Sequence, residues 1–155
     1  KIGTFNITGI NSITKRQHMA EWLKEEKYDI MMFQETKRNT SDVEKGDAWG
    51  KYITFYSISI DPKIKETEEK KREDKLPKGK GKGKAKAPPP WEAPDFEHRG
   101  VGIAVHRKGM KYLKEVRPIN GRVMYLTLNA QDNNLNLIST YAPTAQATPE
   151  QKDEY

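Results

Sequence analysis

Residues Lys1–Lys37, KIGTFNITGINSITKRQHMAEWLKEEKYDIMMFQETK, predict a strand, a helix and a second strand in succession. The opening KIGTFN is typical of a short strand, which Gly9 and the next Asn-Ser pair interrupt. Apolar residues recur at helical spacing over Ser12–Lys27, and Tyr28–Gln34 is apolar apart from one aspartate. Strands joined in this way are usually neighbours in one sheet, so the segment predicts an α/β fold.

Further strands are predicted downstream, on both sides of a polar segment. They are rich in β-branched and aromatic residues and cover Tyr52–Ile60, Arg99–Val105, Arg122–Leu128 and Leu135–Tyr141. Residues 61–98 instead combine mixed charge with a lysine–glycine tract and three consecutive prolines. We expect this segment to be a disordered or extended insertion into the fold.

The chain is basic because of a single tract. Its 155 residues fit one domain, and its net charge is +6. Lys75–Lys86 contains six lysines and no acidic residue, and the remainder has 22 basic and 22 acidic residues. A role in DNA binding therefore has to rest on particular residues rather than on the overall charge.

Composition excludes several classes of protein. The chain has no cysteine, which excludes a disulfide framework and a thiolate zinc site. It opens without a secretory signal, and no apolar run approaches the roughly 20 residues of a membrane helix. These features predict an intracellular protein with no membrane partner.

Two polar residues follow the predicted parallel strands and suggest a metal site. Asn6 and Glu35 would lie at the carboxyl ends of neighbouring strands, the edge where open α/β sheets bind ligands. One or two carboxylates, waters and phosphate oxygens are the usual ligands of Mg²⁺. Tyr141 ends a later strand and could reach a phosphate there. Taken singly, the glutamate also fits a strand end facing water, the asparagine a turn, and the tyrosine a packing residue.

The order of the motifs adds a resemblance to a known family. Five segments carry it: TFNITGINS, IMMFQETK, RGVGIAV, GRVMYLTL and STYAPT. In this order the chain resembles the exonuclease–endonuclease–phosphatase superfamily, and most closely the apurinic-type endonuclease domains of LINE-type retrotransposons. The resemblance covers residues 1–39 well and 99–144 more loosely. It implies a four-layered α/β sandwich with two packed mixed sheets and Mg²⁺-dependent phosphodiester hydrolysis, with Mn²⁺ as an alternative ion.

The resemblance also assigns residues. Glu35 matches the family's metal-ligand glutamate, Asn6 the asparagine that supports the metal site, and Tyr141 the tyrosine beside the scissile phosphate. It further implies DNA as the partner, a nuclear location, and a reverse transcriptase domain in the same polypeptide.

Three more residues match positions that contact DNA. Lys37 matches a lysine near the metal site and the DNA backbone, and Arg122 an arginine that contacts DNA phosphate. Thr144 stands where many relatives have a substrate-contacting asparagine. Thr8 departs from the apurinic repair enzymes, which have aspartate there, and this favours the retrotransposon type.

Two segments of the family pattern are absent from the sequence. Neither a Gly-Asp-x-Asn nor a Ser-Asp-His segment occurs, and none of the histidines (His18, His98 and His106) follows an aspartate. Residues 148–151 also resemble a helix start close to the last residue. We therefore expect residues 1–155 to be the N-terminal half of such a domain, inactive alone.

Other functions fit the same residues. One is a different hydrolase of the superfamily, such as a phosphatase or a deadenylase-like enzyme, and another is a non-catalytic truncated remnant. The lysine–glycine tract fits either a solvated loop or a segment that follows DNA phosphates, with Trp91 and Phe96 stacking on bases.

Overall fold

The computed structural model describes residues 1–38, 46–57, 100–130 and 133–143, together with 145, 149 and 152. The insertion predicted at 61–98 and the candidate residue Thr144 lie outside the described residues. Most of the helix start predicted at 148–151 lies outside them as well.

One helix, one 3₁₀ helix and eight strands are described. The helix α1 spans Ile13–Glu25 and the 3₁₀ helix spans Arg107–Tyr112. The strands are β1 (Ile2–Asn6), β2 (Ile30–Gln34), β3 (Asp47–Trp49), β4 (Tyr52–Tyr56), β5 (Val101–His106), β6 (Leu113–Asn120), β7 (Val123–Ala130) and β8 (Asn133–Thr140). The predicted elements are confirmed within the described residues, whereas β3 and β6 were not predicted.

The strands form two sheets. In the first sheet the order is β1-β2-β5-β4-β3, with β1 and β2 parallel and the other pairs antiparallel. Asn6 pairs with Gln34 in register, so β1 and β2 end side by side, as the strand–helix–strand pattern predicts. The second sheet, β6-β7-β8, is antiparallel.

Strands β2, β4 and β5 of the first sheet are largely buried, whereas the edge strand β1 is mostly exposed. Leu23 of α1 packs with Met31, Phe33 and Tyr52 on one face of this sheet. On the other face, β2 and β5 pack against the apolar side chains of β7 and β8. Burial on both sides explains why β2 and β5 are almost continuously apolar.

The sheets are also joined by a side chain. The Ser139 hydroxyl, on β8, donates to the Phe33 carbonyl at 3.3 Å. These contacts confirm the predicted α/β sandwich of two packed sheets. Within the described residues its layers are α1, the first sheet and the second sheet. The described part of the chain contains no helix long and apolar enough to cross a membrane.

Candidate metal and phosphodiester site

The two loops that follow β1 and β2 are hydrogen-bonded to each other. The Gly9 amide donates to the Glu35 carbonyl at 2.6 Å, and the Ile10 amide donates to the Thr36 carbonyl at 3.0 Å. The Asn11 side-chain amide donates to the Lys37 carbonyl at 3.1 Å. Hydrogen bonding between β1 and β2 thus continues into the loops that follow them, but with an irregular pattern.

These loops contain an unusual backbone conformation. Thr8, Glu35 and Lys37 have φ angles of 49°, 54° and 53°. Non-glycine residues in this left-handed region cost on the order of 1–3 kcal/mol each, and they persist only where the surrounding structure holds them. The bonds between the loops provide that restraint. Such residues cluster at functional sites, which marks this end of the sheet as a candidate site.

The three predicted catalytic residues meet at one carboxylate oxygen. Glu35 Oε1 accepts a hydrogen bond from Asn6 Nδ2 at 3.0 Å and another from the Tyr141 hydroxyl at 2.7 Å. Asn6 Oδ1 in turn accepts bonds from the Thr8 amide at 3.2 Å and the Thr8 hydroxyl at 3.3 Å. Residues from β1, β2 and the end of β8 therefore contribute to one cluster.

Tyr141 is held as a hydrogen-bond donor. The pKa of Tyr141 is raised to about 12, first by burial and further by the hydrogen bond to Glu35 and the charge of Glu35. The positive charge of Arg122 lowers the pKa in part. The phenol therefore stays protonated at neutral pH and donates to the carboxylate.

The predicted DNA-contacting residues have different surroundings. Arg122 is only 6% exposed. Its Nη1 atom donates to the Tyr141 carbonyl at 3.1 Å, and its guanidinium lies 5.6 Å from the centre of the Tyr141 ring. Lys37 is half-buried next to Glu35, and its side chain extends toward Gly9. The structure thus places Arg122 against Tyr141, and it places Lys37 in the loop that contains Glu35.

A divalent cation fits this donor set only in part. Among the described residues, no three His, Asp or Glu side chains lie together as a metal-binding group. Glu35 supplies one carboxylate, which matches the one or two that Mg²⁺ usually takes beside waters and phosphate oxygens. In the present arrangement the amide oxygen of Asn6 is occupied by Thr8, so Asn6 acts on Glu35 through its donor group.

Sequence reasoning missed a second polar cluster at the same end of the first sheet. Asp47, at the start of β3, accepts hydrogen bonds from the Trp49 indole at 3.2 Å and the Tyr56 hydroxyl at 3.3 Å. It also forms ion pairs with Arg16 at 3.6 Å and Arg38 at 3.8 Å. Burial, followed by the charge of Asp47, raises the pKa of Tyr56. Arg38 follows Glu35 by three residues, so the two clusters are adjacent along the chain.

The two described histidines, His18 and His106, have a surface position and structural contacts respectively. His106 Nδ1 accepts a hydrogen bond from the Lys108 amide at 3.2 Å, and its ring packs edge-on against Tyr52. His18 is exposed on α1. His98 lies outside the described residues.

Comparison with known proteins bears on the fold. No protein-family model matches the chain, and no curated protein does. Among solved structures the chain is similar to the crystal structure of the AP endonuclease LMAP from Leishmania major, with 15% sequence identity and a TM-score of 0.50. The match covers 90% of this chain and 39% of that protein, so the chain spans well under half of its length. This likeness shows that the chain has the α/β-sandwich fold of an AP endonuclease.

Proposed function

We propose that this chain is part of a Mg²⁺-dependent phosphodiesterase that nicks DNA, with Glu35 as the metal ligand. The observation that carries the proposal is the convergence of Asn6 and Tyr141 on one oxygen of Glu35, at the carboxyl end of β2. The fold shared with an AP endonuclease supports the same class of reaction.

The hydrogen bonds from Asn6 and Tyr141 orient the Glu35 carboxylate. The Asn6 amide and the Tyr141 phenol both donate to its Oε1 atom. An oriented, charged carboxylate suits a hard cation that keeps several waters and binds substrate phosphate. Glu35 would hold Mg²⁺ or Mn²⁺, which would stabilise negative charge on the phosphate. Asn6 and Tyr141 would fix the geometry of Glu35, and Tyr141 would also lie beside the phosphate.

The basic residues are proposed to hold the DNA backbone. Lys37 follows Glu35 by two residues, and the Arg122 guanidinium lies 5.6 Å from the centre of the Tyr141 ring, so both would add positive charge around a bound phosphate. Thr144, which is close to Tyr141 in the sequence, would contact the substrate. The lysine tract at 75–86 would add sequence-independent, salt-dependent affinity for DNA.

The retrotransposon type is a finer proposal that rests on sequence. Thr8 replaces the aspartate of apurinic repair enzymes, and here its hydroxyl donates to Asn6. An ionised aspartate has no proton to donate in that way, so the support of Asn6 differs from the repair type. A nuclear location and a reverse transcriptase in the same polypeptide belong to this proposal.

Metal binding by the 155-residue chain tests the central claim. Mn²⁺ binding can be measured by its effect on water proton relaxation. We expect Glu35→Gln to bind Mn²⁺ about 100-fold more weakly than wild type, because removing a metal ligand lowers affinity more than removing a group that supports a ligand. Glu21→Gln is the matched control, since this exposed carboxylate pairs with Lys24 on the outside of α1. Equal affinity of all three proteins would contradict the proposal.

The same proteins should leave supercoiled plasmid uncut. The Gly-Asp-x-Asn and Ser-Asp-His segments, through which the family activates water, do not occur in residues 1–155. Nicking by wild type that Glu35→Gln abolishes would support the metal site but overturn the expected inactivity of the chain alone.

A further inference from the structure

The first turn of α1 contains two basic residues whose side chains fold back onto the loop after β1. Lys15 Nζ donates to the Ile7 carbonyl and, at 3.2 Å, to the Thr8 carbonyl. Arg16 Nη1 donates to the Ile10 carbonyl at 2.9 Å and the Asn11 carbonyl at 3.0 Å. Four carbonyl groups of one short loop are thus bound by two adjacent cations.

The Lys15 contacts connect to the candidate site through Thr8. Lys15 fixes the carbonyl groups on either side of the Thr8 α-carbon, and this residue has the left-handed φ of 49°. Thr8 then donates twice to Asn6, and Asn6 donates to Glu35. Every step in this series is a hydrogen bond between described atoms.

We propose that Lys15 is a positioning residue, which orients the Glu35 carboxylate through Thr8 and Asn6. The proposal rests on the proposed function for the role of Glu35, whereas the orientation itself is independent of any metal. Lys15 does not touch the carboxylate.

Charge is central to this role. A charge-assisted hydrogen bond is stronger than a neutral one, and an ammonium group with three donors can serve two carbonyl oxygens together. Without it, the left-handed conformation of Thr8 loses part of its restraint. The loop would then sample ordinary backbone conformations in which the Thr8 amide and hydroxyl no longer face Asn6.

Amide hydrogen exchange measured by NMR tests the inference on the whole 155-residue chain. We expect Lys15→Met to raise exchange at Gly9 and Ile10 about tenfold relative to the amides of β7, and to shift the Asn6 side-chain amide signals. Lys15→Arg keeps the charge and should restore most of the protection. Lys24→Met is the matched control, because Lys24 lies on the same helix and pairs with Glu21 at the surface.

A merely structural role gives a different result. It predicts that Lys15→Met raises exchange to the same extent in β7 and leaves the Asn6 signals unchanged, and either observation overturns the inference. If Lys15→Met does not fold, Lys15→Gln, which keeps a donor but no charge, replaces it in the same comparison.

Metal binding separates this inference from the proposed function. We expect Lys15→Met to weaken Mn²⁺ binding about tenfold, as for other residues that orient a ligand, and Lys24→Met to leave it unchanged. If wild type binds no Mn²⁺ while the local exchange response is present, the proposed function fails and the positioning role of Lys15 stands. If Glu35-dependent Mn²⁺ binding is present and Lys15→Met changes neither exchange nor affinity, the positioning role fails alone.

Discussion

Glu35 and Asp47 are two carboxylates at the same end of the first sheet, and different side chains hold them in place. Asp47 accepts from the Trp49 indole and the Tyr56 hydroxyl and is paired with the guanidinium groups of Arg16 and Arg38. Glu35 accepts from the uncharged amide of Asn6 and phenol of Tyr141, and its own backbone is left-handed.

The difference separates a structural carboxylate from a candidate functional one. Cations around Asp47 offset its charge and tie α1, β3 and β4 together, which serves the fold. Asn6 and Tyr141 fix the direction of the Glu35 carboxylate, in a loop whose conformation is costly. Substitutions at the two clusters should therefore separate loss of stability from loss of metal binding.

The largest effect on stability is expected from Gly100→Ala, because Gly100 packs against the loop that contains Glu35. Gly100 has a φ of 106°, and an added Cβ would lie 2.4 Å from Thr36 Oγ1 and 3.0 Å from the Lys37 nitrogen. Backbone strain and the clash together should cost about 3 kcal/mol of unfolding free energy, measured by urea denaturation. Gly109→Ala is the control, where the nearest atom would be the Val105 side chain at 3.1 Å. Equal losses of unfolding free energy in the two variants would show that the loop after β2 adapts to the added methyl group. The contrast between the Glu35 loop and the Asp47 cluster would then be weaker.

Asp47→Ala should cost about 2 kcal/mol, because the buried Tyr56 hydroxyl loses its acceptor and two guanidinium groups lose a counter-ion. Its Mn²⁺ affinity, measured where the variant is fully folded, should stay near that of wild type. Asp29→Ala removes an exposed carboxylate that pairs with the terminal amine, and it should cost well under 1 kcal/mol. If the fully folded Asp47→Ala variant did not bind Mn²⁺, Asp47 and Glu35 would belong to one functional site.

The smallest effect is expected from Tyr141→Phe, and it depends on pH. The pKa of Tyr141 is raised to about 12, so its contribution to stability is complete below about pH 10 and is lost as the pH rises toward 12. Between pH 9 and 11 wild type should lose up to about 1 kcal/mol more than the variant, after allowance for solvent screening. Urea denaturation without added metal measures this difference. Parallel curves for the two proteins would show that the pKa of Tyr141 is not raised in solution.

The sequence predicts the centre of the fold because local pattern and topology agree there. The helical stripe and the apolar run of β2 identify the strand–helix–strand unit, and parallel pairing then places Asn6 beside Glu35. Two strands escape this reasoning for different reasons. β3 has only three residues, and β6 contains a proline, three charged residues and little apolar alternation.

Side-chain surroundings are harder to predict than the sheet. Arg122 matches a DNA-contacting position in sequence, but nothing there indicates that its side chain is buried against Tyr141. The Asp47 cluster joins residues from the helix, a loop and two strands, so no local spacing reveals it. The contacts of Lys15 and Arg16 with the loop carbonyls likewise require the fold.

The bond between Tyr141 and Glu35 joins residues 106 positions apart in the chain. Contacts between such distant residues form only after the intervening chain has lost much of its freedom, and they slow folding for that reason. The helix and the β1–β2 pair depend on nearer residues and can form first. The phenol should therefore reach the carboxylate among the last events of folding, so this single bond would report in a kinetic experiment that the two sheets have joined.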